Sequence, residues 1–444
     1  MAKFTPHTDE QIKEMLEVIG AGSVDELFKD IPEDLKAKEF NLPAGMTENE
    51  ALKTMKNLAG MNKKYYVSFL GGGFYDHYIP AVVDSVSSKP EFFTAYTPYQ
   101  PEASQGTLQA IFEYQTMTAK LTGLDVANAS LYDGGTALYE AVVMAVRSTR
   151  RTKIVVDEGV NPLFRRMLKA HIKNLDIQRV NIKTAGIKPD KEKMLDEIDE
   201  NTAAVIAANP NFFGHIDDYS GVFEKASEKG AVSILNFYPI SLGVLKTPGE
   251  MGADIAVGEG QSLGLPLSFG GPYLGIMTAS KKYARKLPGR IAGETTDSEG
   301  KRAYVLTLQA REQHIKREKA TSNICSNQAL CALRAAVYMS LLGRQGFRDT
   351  AIINMERAGK LREGFKRING MKVMSGVFFN EFAVEVKGGS KAFVNKMLAK
   401  GFVAGMPAGL FYIDKEDVLV VNATEKRTDN EINGFLAAAR EVMR

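Results

Sequence analysis

The stretch TKIVVDEGVNPLFRRMLKAHIKNLDIQRVNIKTAGIKPDKEKMLDEIDENTAAVIAA, residues 152–208, decides the fold class. Thr152–Asp157 is a short apolar run that reads as a strand, and a helix follows from Pro162 to Lys173. Ile177–Ile182 is a second strand, Asp190–Ile198 a second helix and Ala203–Ala208 a third strand. Apolar strands that alternate with helices predict a parallel sheet covered on both faces. The pattern runs on through a helix around Val222–Lys229 and strands at Ala231–Asn236 and Asp254–Val257. The expected fold class is α/β, with a large domain over residues 61–344.

On either side of this domain the pattern changes. Residues 345–444 read as a smaller α+β domain. Glu381–Val386 alternates as a half-exposed strand should, a helix spans Lys391–Lys400, a strand Val418–Val421, and Thr428 with Glu431 caps a last helix. Residues 1–60 read as a helical arm. Thr8 with Gln11, Ser23 with Glu26 and Thr47 with Glu50 each mark a helix start, and Ile12, Met15, Leu16 and Ile19 share one face. Short amphipathic helices of this kind must lie on a body or on a second chain.

A chain of 444 residues exceeds one ordinary core. Its 56 basic and 53 acidic residues nearly balance, which gives no reason to expect nucleic acid or an acidic membrane as partner. No apolar run approaches the roughly 18 residues that span a bilayer. The N-terminus, MAKFTPHTDEQ, lacks the apolar core of a signal peptide, so the expected location is the cytoplasm. Cys325 and Cys331 lie six apart in what reads as a helix, a spacing that does not pair them. The five histidines are scattered and neither CxxC nor HExxH occurs, so no metal site is expected.

Asp133–Ala137, DGGTA, precedes a helix read at Leu138–Arg147. A glycine-rich turn at a helix start offers Gly134, Gly135 and Thr136 to a phosphate. A tight turn with an N-cap gives the same pattern. Pyridoxal phosphate enzymes use such a turn, and need two more groups: an acid to hold the pyridine nitrogen protonated, and a lysine to form the internal Schiff base. Strand Ala231–Leu235 ends instead in Asn236, and the segment 258–262, GEGQS, carries Gln261. Asn lacks the charge and Gln forms no imine. An unrelated fold would make both absences meaningless. Gly71-Gly72-Gly73 has no following Lys-Ser/Thr pair, so a nucleotide site is not indicated.

Residues 288–330, PGRIAGETTDSEGKRAYVLTLQAREQHIKREKATSNICSNQAL, resemble the glycine decarboxylase P-protein family of the glycine cleavage system, in its α-subunit type. FLGGGFYDHYIP (69–80), AYTPYQPEASQGTLQAIFEYQ (95–115), SLYDGGTALYE (130–140) and GLPLSFGGP (264–272) agree, and the resemblance covers essentially the whole chain. It implies a type I pyridoxal phosphate-dependent transferase fold and an α2β2 assembly with a β subunit. The complex decarboxylates glycine and passes the aminomethyl group to the lipoyl group of the H-protein. The β subunit holds the cofactor, its lysine standing five residues before a proline. Gln261 stands five residues before Pro266, in the lysine position, and Asn236 in the position of the acid. The resemblance thus implies no catalytic residue and no covalent cofactor on this chain, and a vestigial phosphate turn at Gly134, Gly135 and Thr136.

The contribution expected of this chain is a wall of the partner's pocket. In the segment 95–106, Pro98, Pro101 and Gly106 predict a loop, on which Tyr96, Tyr99, Gln100, Glu102 and Gln105 suit a small zwitterion or an interface. A rigid packing loop is the alternative. Asp76 and His77 read as an acid–base pair or as local hydrogen-bonding residues. Arg311, His314, Lys316, Arg317 and Lys319, interleaved with Glu312 and Glu318, read as a solvated helix face, or as an interface or lipoyl channel. Two other functions stay open. One is an autonomous pyridoxal phosphate enzyme using Lys246 or Lys281. The other is a binding or regulatory protein with no enzyme role.

Overall fold

The computed structural model describes residues 6–39, 41–62, 66–374 and 376–444. They fall into two compact units, residues 1–64 and residues 65–444. In the first unit, helix Asp9–Ile19 starts at a complete Thr8/Gln11 capping box and ends at Gly20, which takes the left-handed conformation that favours glycine. Helix Glu48–Gly60 starts at an equally complete Thr47/Glu50 box. The signal at Ser23 yields only a 3-10 turn, Asp25–Phe28, where the Ser23 hydroxyl accepts from the Glu26 amide at 3.4 Å. No residue of these helices is buried.

The second unit is built on a seven-stranded sheet in the order Val126–Ala127, Gly275–Ala279, Ile255–Glu259, Val232–Phe237, Thr202–Asn209, Lys153–Asp157, Gln178–Ile182. The last five strands are mutually parallel, as their apolar runs predict. All eight residues of Thr202–Asn209 are buried, because helices cover both faces. Strands Gly275–Ala279 and Val126–Ala127 add antiparallel to one edge. An antiparallel hairpin, Ile291–Thr296 with Arg302–Thr307, packs Ala292, Tyr304 and Leu306 against Leu108 and Ile111 of helix Gln105–Thr122.

A four-stranded antiparallel sheet follows, in the order Met371–Val373, Glu381–Val386, Val418–Asn422, Met406–Pro407. Glu381–Val386 is not half-exposed; Glu385 is its only exposed residue. Phe382, Val384 and Val386 pack with helices Ser390–Ala399 and Asp429–Val442, while Ala383 packs with Phe212, Phe213 and Tyr412. On the alternating face, Ala383 is covered by Phe212 and Phe213 of a large-sheet loop together with Tyr412, and only Glu385 stays exposed. Cys331 is buried in the long helix Ala329–Phe365, but Cys325 precedes that helix and is exposed, so the two do not share an element.

The triglycine at 71–73 joins the two sheets. A Cβ at Gly71 would overlap the Glu381 carboxylate, and one at Gly73 would stand 2.5 Å from Asn161 Nδ2. The Gly72 amide donates to Glu381 Oε1 at 2.6 Å, the Tyr75 hydroxyl donates to Glu381 Oε2 at 2.8 Å, and Asn161 donates to the Gly72 carbonyl at 2.8 Å. Asp76 and His77 do not bond locally. Asp76 pairs with Lys426 and Arg427. The His77 ring lies 2.8 Å from Glu425 and also bonds the Tyr238 hydroxyl. Burial pushes the Glu425 carboxyl up, but His77, the Tyr78 amide and Asn354 outweigh it and hold it at about 2.

Glu381 has no cation beside it, and burial pushes its carboxyl up to about 7, against the pull of Gly72 and Tyr75. An unfolded Glu titrates near pH 4.3. A folded pKa above the unfolded one gives stability that is complete below the unfolded value and lost as pH rises through the folded one. Between about pH 4 and pH 8 the unfolding free energy should therefore fall, relative to a Glu381→Gln variant, by about 3 kcal/mol. Denaturant unfolding of both proteins across that range checks this; parallel pH profiles would contradict it.

Candidate functional site

The carboxyl ends of the parallel strands are where open α/β sheets place their ligands. Here Asn161, Ala208, Asn236, Phe237, Glu259 and Glu381 surround a cavity of about 40 Å³. Small-molecule and cofactor sites measure roughly 300–1,000 Å³. The cavity suits a water molecule or little more.

Asn236 is on the central strand Val232–Phe237, in register between Ala208 and Val257. Its amide donates to the Val257 carbonyl at 3.2 Å. Gln261 follows strand Ile255–Glu259, and both ends of its amide are engaged. Nε2 donates to the carbonyls of Tyr75 at 3.1 Å and Leu265 at 2.8 Å, while Oε1 accepts from the Tyr75 amide at 3.0 Å. A side chain only 2 % exposed thus acts as a backbone splint. It clamps the chain just after the triglycine onto the end of the parallel sheet.

Gly134, Gly135 and Thr136 are not ahead of their helix but form its first turn, over Gly134–Thr149. Asp133 is the N-cap, and its carboxylate accepts from the Thr136 amide at 2.8 Å and hydroxyl at 3.2 Å. The Gly134 amide donates at 2.9 Å to Glu259 Oε2. Glu259 Oε1 also accepts from the amides of Gln261 at 3.0 Å and Leu274 at 3.1 Å. Burial pushes its carboxyl up to about 8, although the three amides favour the charged form. A Cβ on Gly134 would stand 2.8 Å from Phe164, and one on Gly135 2.6 Å from Met167. Reading 258–262 for a missing lysine passes over Glu259; the signal was an acid directly ending an apolar strand.

The segment 95–106 is only partly a loop. Pro101–Ala103 is a 3-10 turn, and Gln105 and Gly106 open helix Gln105–Thr122. Gln105 is committed within the chain, donating to Pro101 O at 2.7 Å and Tyr304 O at 2.8 Å and accepting from the Tyr304 amide. The Tyr99 hydroxyl accepts from Arg290 at 2.9 Å, and its ring meets His314 edge-on. Tyr96, Gln100 and Glu102 are exposed.

Residues 309–319 are not one solvated helix face. They form three short turns, in which Leu308 and Arg317 take positive φ (55° and 56°), an uncommon conformation for such residues. Arg311 is largely buried and bonds the Leu287 carbonyl. Beside these turns runs an open groove of about 660 Å³, where Glu140, Arg147, His171 and Arg317 mix charges of both signs. Burial raises Glu140 to about 7.

These residues do not fit pyridoxal phosphate. Among the described residues no lysine lines the cavity at the strand ends, the space is too small for a substituted pyridine ring, and side-chain carboxylates take up the Gly134 and Thr136 amides of the turn. Lys246 is bonded to Asp218 and Ser220, and Lys281 follows the antiparallel strand Gly275–Ala279. Among the described residues, no group of His, Cys, Asp or Glu is arranged to hold a metal ion, and no helix is long and apolar enough to cross a membrane.

The profile of the family described as glycine cleavage system P-protein matches residues 2–438. A probable glycine dehydrogenase (decarboxylating) subunit 1 of Citrifermentans bemidjiense is 51 % identical over 99 % of both chains. Its counterpart in Maridesulfovibrio salexigens is 52 % identical over 98 % of this chain and 99 % of that protein. Among solved structures, an inhibitor-bound glycine decarboxylase (P-protein) of the glycine cleavage system superposes with a TM-score of 0.92, at 42 % identity, over 99 % of this chain and 100 % of that one. A glutamate decarboxylase of Lactobacillus brevis, 11 % identical, superposes with a TM-score of 0.69 over 93 % of this chain and 96 % of that one, and shares the fold alone. The fold is that of the type I pyridoxal phosphate-dependent enzymes. Matched from end to end by subunit 1 relatives at half identity, the chain belongs to the glycine cleavage system P-protein family.

Proposed function

We propose that this chain is the non-catalytic α subunit of a two-subunit glycine decarboxylase. The observation that carries this reading is Gln261, an amide bonded at both ends to backbone groups just past the strand end, where a Schiff-base lysine would have to stand free. The β subunit holds pyridoxal phosphate, which supplies the electron sink for glycine decarboxylation when bound. The assembled α2β2 enzyme, in the cytoplasm, passes the aminomethyl group to the lipoyl H-protein. This chain positions rather than reacts. Tyr96, Tyr99, Gln100 and Glu102 are exposed on 95–105 and suit a neighbour's pocket. Tyr99 and Gln105 hold that segment in place through Arg290 and Tyr304.

Glycine–bicarbonate carbon exchange tests the reading, with lipoylated H-protein and pyridoxal phosphate present. It should appear when this chain and the β subunit are mixed, and not with this chain alone. Exchange by this chain alone, or no association between the two, would sink the proposal.

The double variant Gln261→Lys, Asn236→Asp should also remain inactive alone, because the space for a cofactor is missing. Gln261→Lys by itself leaves the Tyr75 amide unpaired and buries an ammonium, which should cost about 3 kcal/mol in denaturant unfolding. A stable variant that turns over glycine would overturn this account.

A further inference from the structure

The phosphate turn is intact as backbone and closed as a site. Helix Gly134–Thr149 has four turns of dipole behind its first amides, which draws negative charge to Gly134. The acceptor that takes this place comes from within the chain. Glu259 is 5 % exposed and ends its strand with the carboxylate between three backbone amides, those of Gly134, Gln261 and Leu274, at 2.9–3.1 Å. Asp133 takes the Thr136 amide and hydroxyl. The Phe164 and Met167 side chains pack against the turn, 2.8 and 2.6 Å from where a Cβ on Gly134 or Gly135 would stand. A phosphate brought to the same amides would meet two carboxylates and an aromatic wall.

We propose that Glu259 is a built-in replacement for the cofactor's phosphate: its carboxyl group fills the anion cradle at the start of helix Gly134–Thr149 and bars phosphate-bearing ligands from it. The inference rests on the non-catalytic reading above and gives it a physical device. The position lies two residues before Gln261, so one short segment both lacks the lysine and supplies the plug. Under this proposal the chain does not compete with its partner subunit for pyridoxal phosphate.

The plug makes a direct prediction about its removal. Glu259→Ala strips the three amides of their acceptor and leaves a hole the size of a small anion at a helix N-terminus. The variant should melt about 5 °C below the unmodified chain in chloride. Inorganic phosphate at matched ionic strength should restore at least half of that difference. The quantity read is variant minus unmodified chain, which cancels the general stabilisation by phosphate. Calorimetric titration supplies the second readout, using inorganic phosphate and pyridoxamine phosphate, which has no aldehyde to react with surface lysines. The unmodified chain should give no saturable binding, and Glu259→Ala should bind inorganic phosphate.

Saturable binding of either ligand to the unmodified chain would overturn the proposal, as would a Glu259→Ala variant indifferent to phosphate. If Glu259→Ala folds only in phosphate, the proposal holds; if it folds in neither buffer, it falls. These readouts contain no activity, so they can fail while the assembly and exchange results stand.

Discussion

The centre of the molecule depends on one buried amide. Gln261 receives the Tyr75 backbone amide and returns a hydrogen bond to the carbonyl of the same residue. It thereby fastens the end of a parallel strand to the segment that carries the triglycine. From there the connections radiate. Tyr75 and Gly72 reach Glu381 in the C-terminal sheet, Gly72 reaches Asn161 beyond the neighbouring strand, and His77 reaches Glu425. Buried backbone groups must be paired somewhere, and a side chain that pairs both groups of one residue acts like a strand of length one.

Much of this could be read in advance where periodicity is strong. Four of the five parallel strands were visible because they are buried on both faces and so almost continuously apolar; Gln178–Ile182, at the sheet's edge, is only partly buried and shows only through Ile177, Val180 and Ile182. Val126–Ala127 and the hairpin 291–307 were not, since a two-residue edge strand and a hairpin of mixed polarity carry no such run; Gly275–Ala279 was passed over although all five of its residues are buried. The strand at Glu381 was found but its burial was misjudged. Alternation reports chemistry along a strand and cannot tell whether water or another layer meets the polar side.

The site divides along the same line. Asn236 and Gln261 stand out by what they lack, which a sequence displays. Glu259 stands out by what it touches, which only the convergence of Gly134, Gln261 and Leu274 supplies. Gln105 and Tyr99 show the reverse: their composition suggested recognition, and packing commits them to Tyr304 and Arg290. A polar side chain on a short connection serves whichever partner is nearest. The distinction between holding a loop and meeting a ligand lies in distances that no residue type encodes.

The three bonds of Gln261 also bear on reversibility. A lysine restored at position 261 would arrive where the backbone now relies on an amide, and its partner acid at 236 would enter a strand with no pyridine to face. Neither change helps without the other, and each is harmful first. On the non-catalytic reading proposed above, the fold spends on its own cohesion the two positions that chemistry would need.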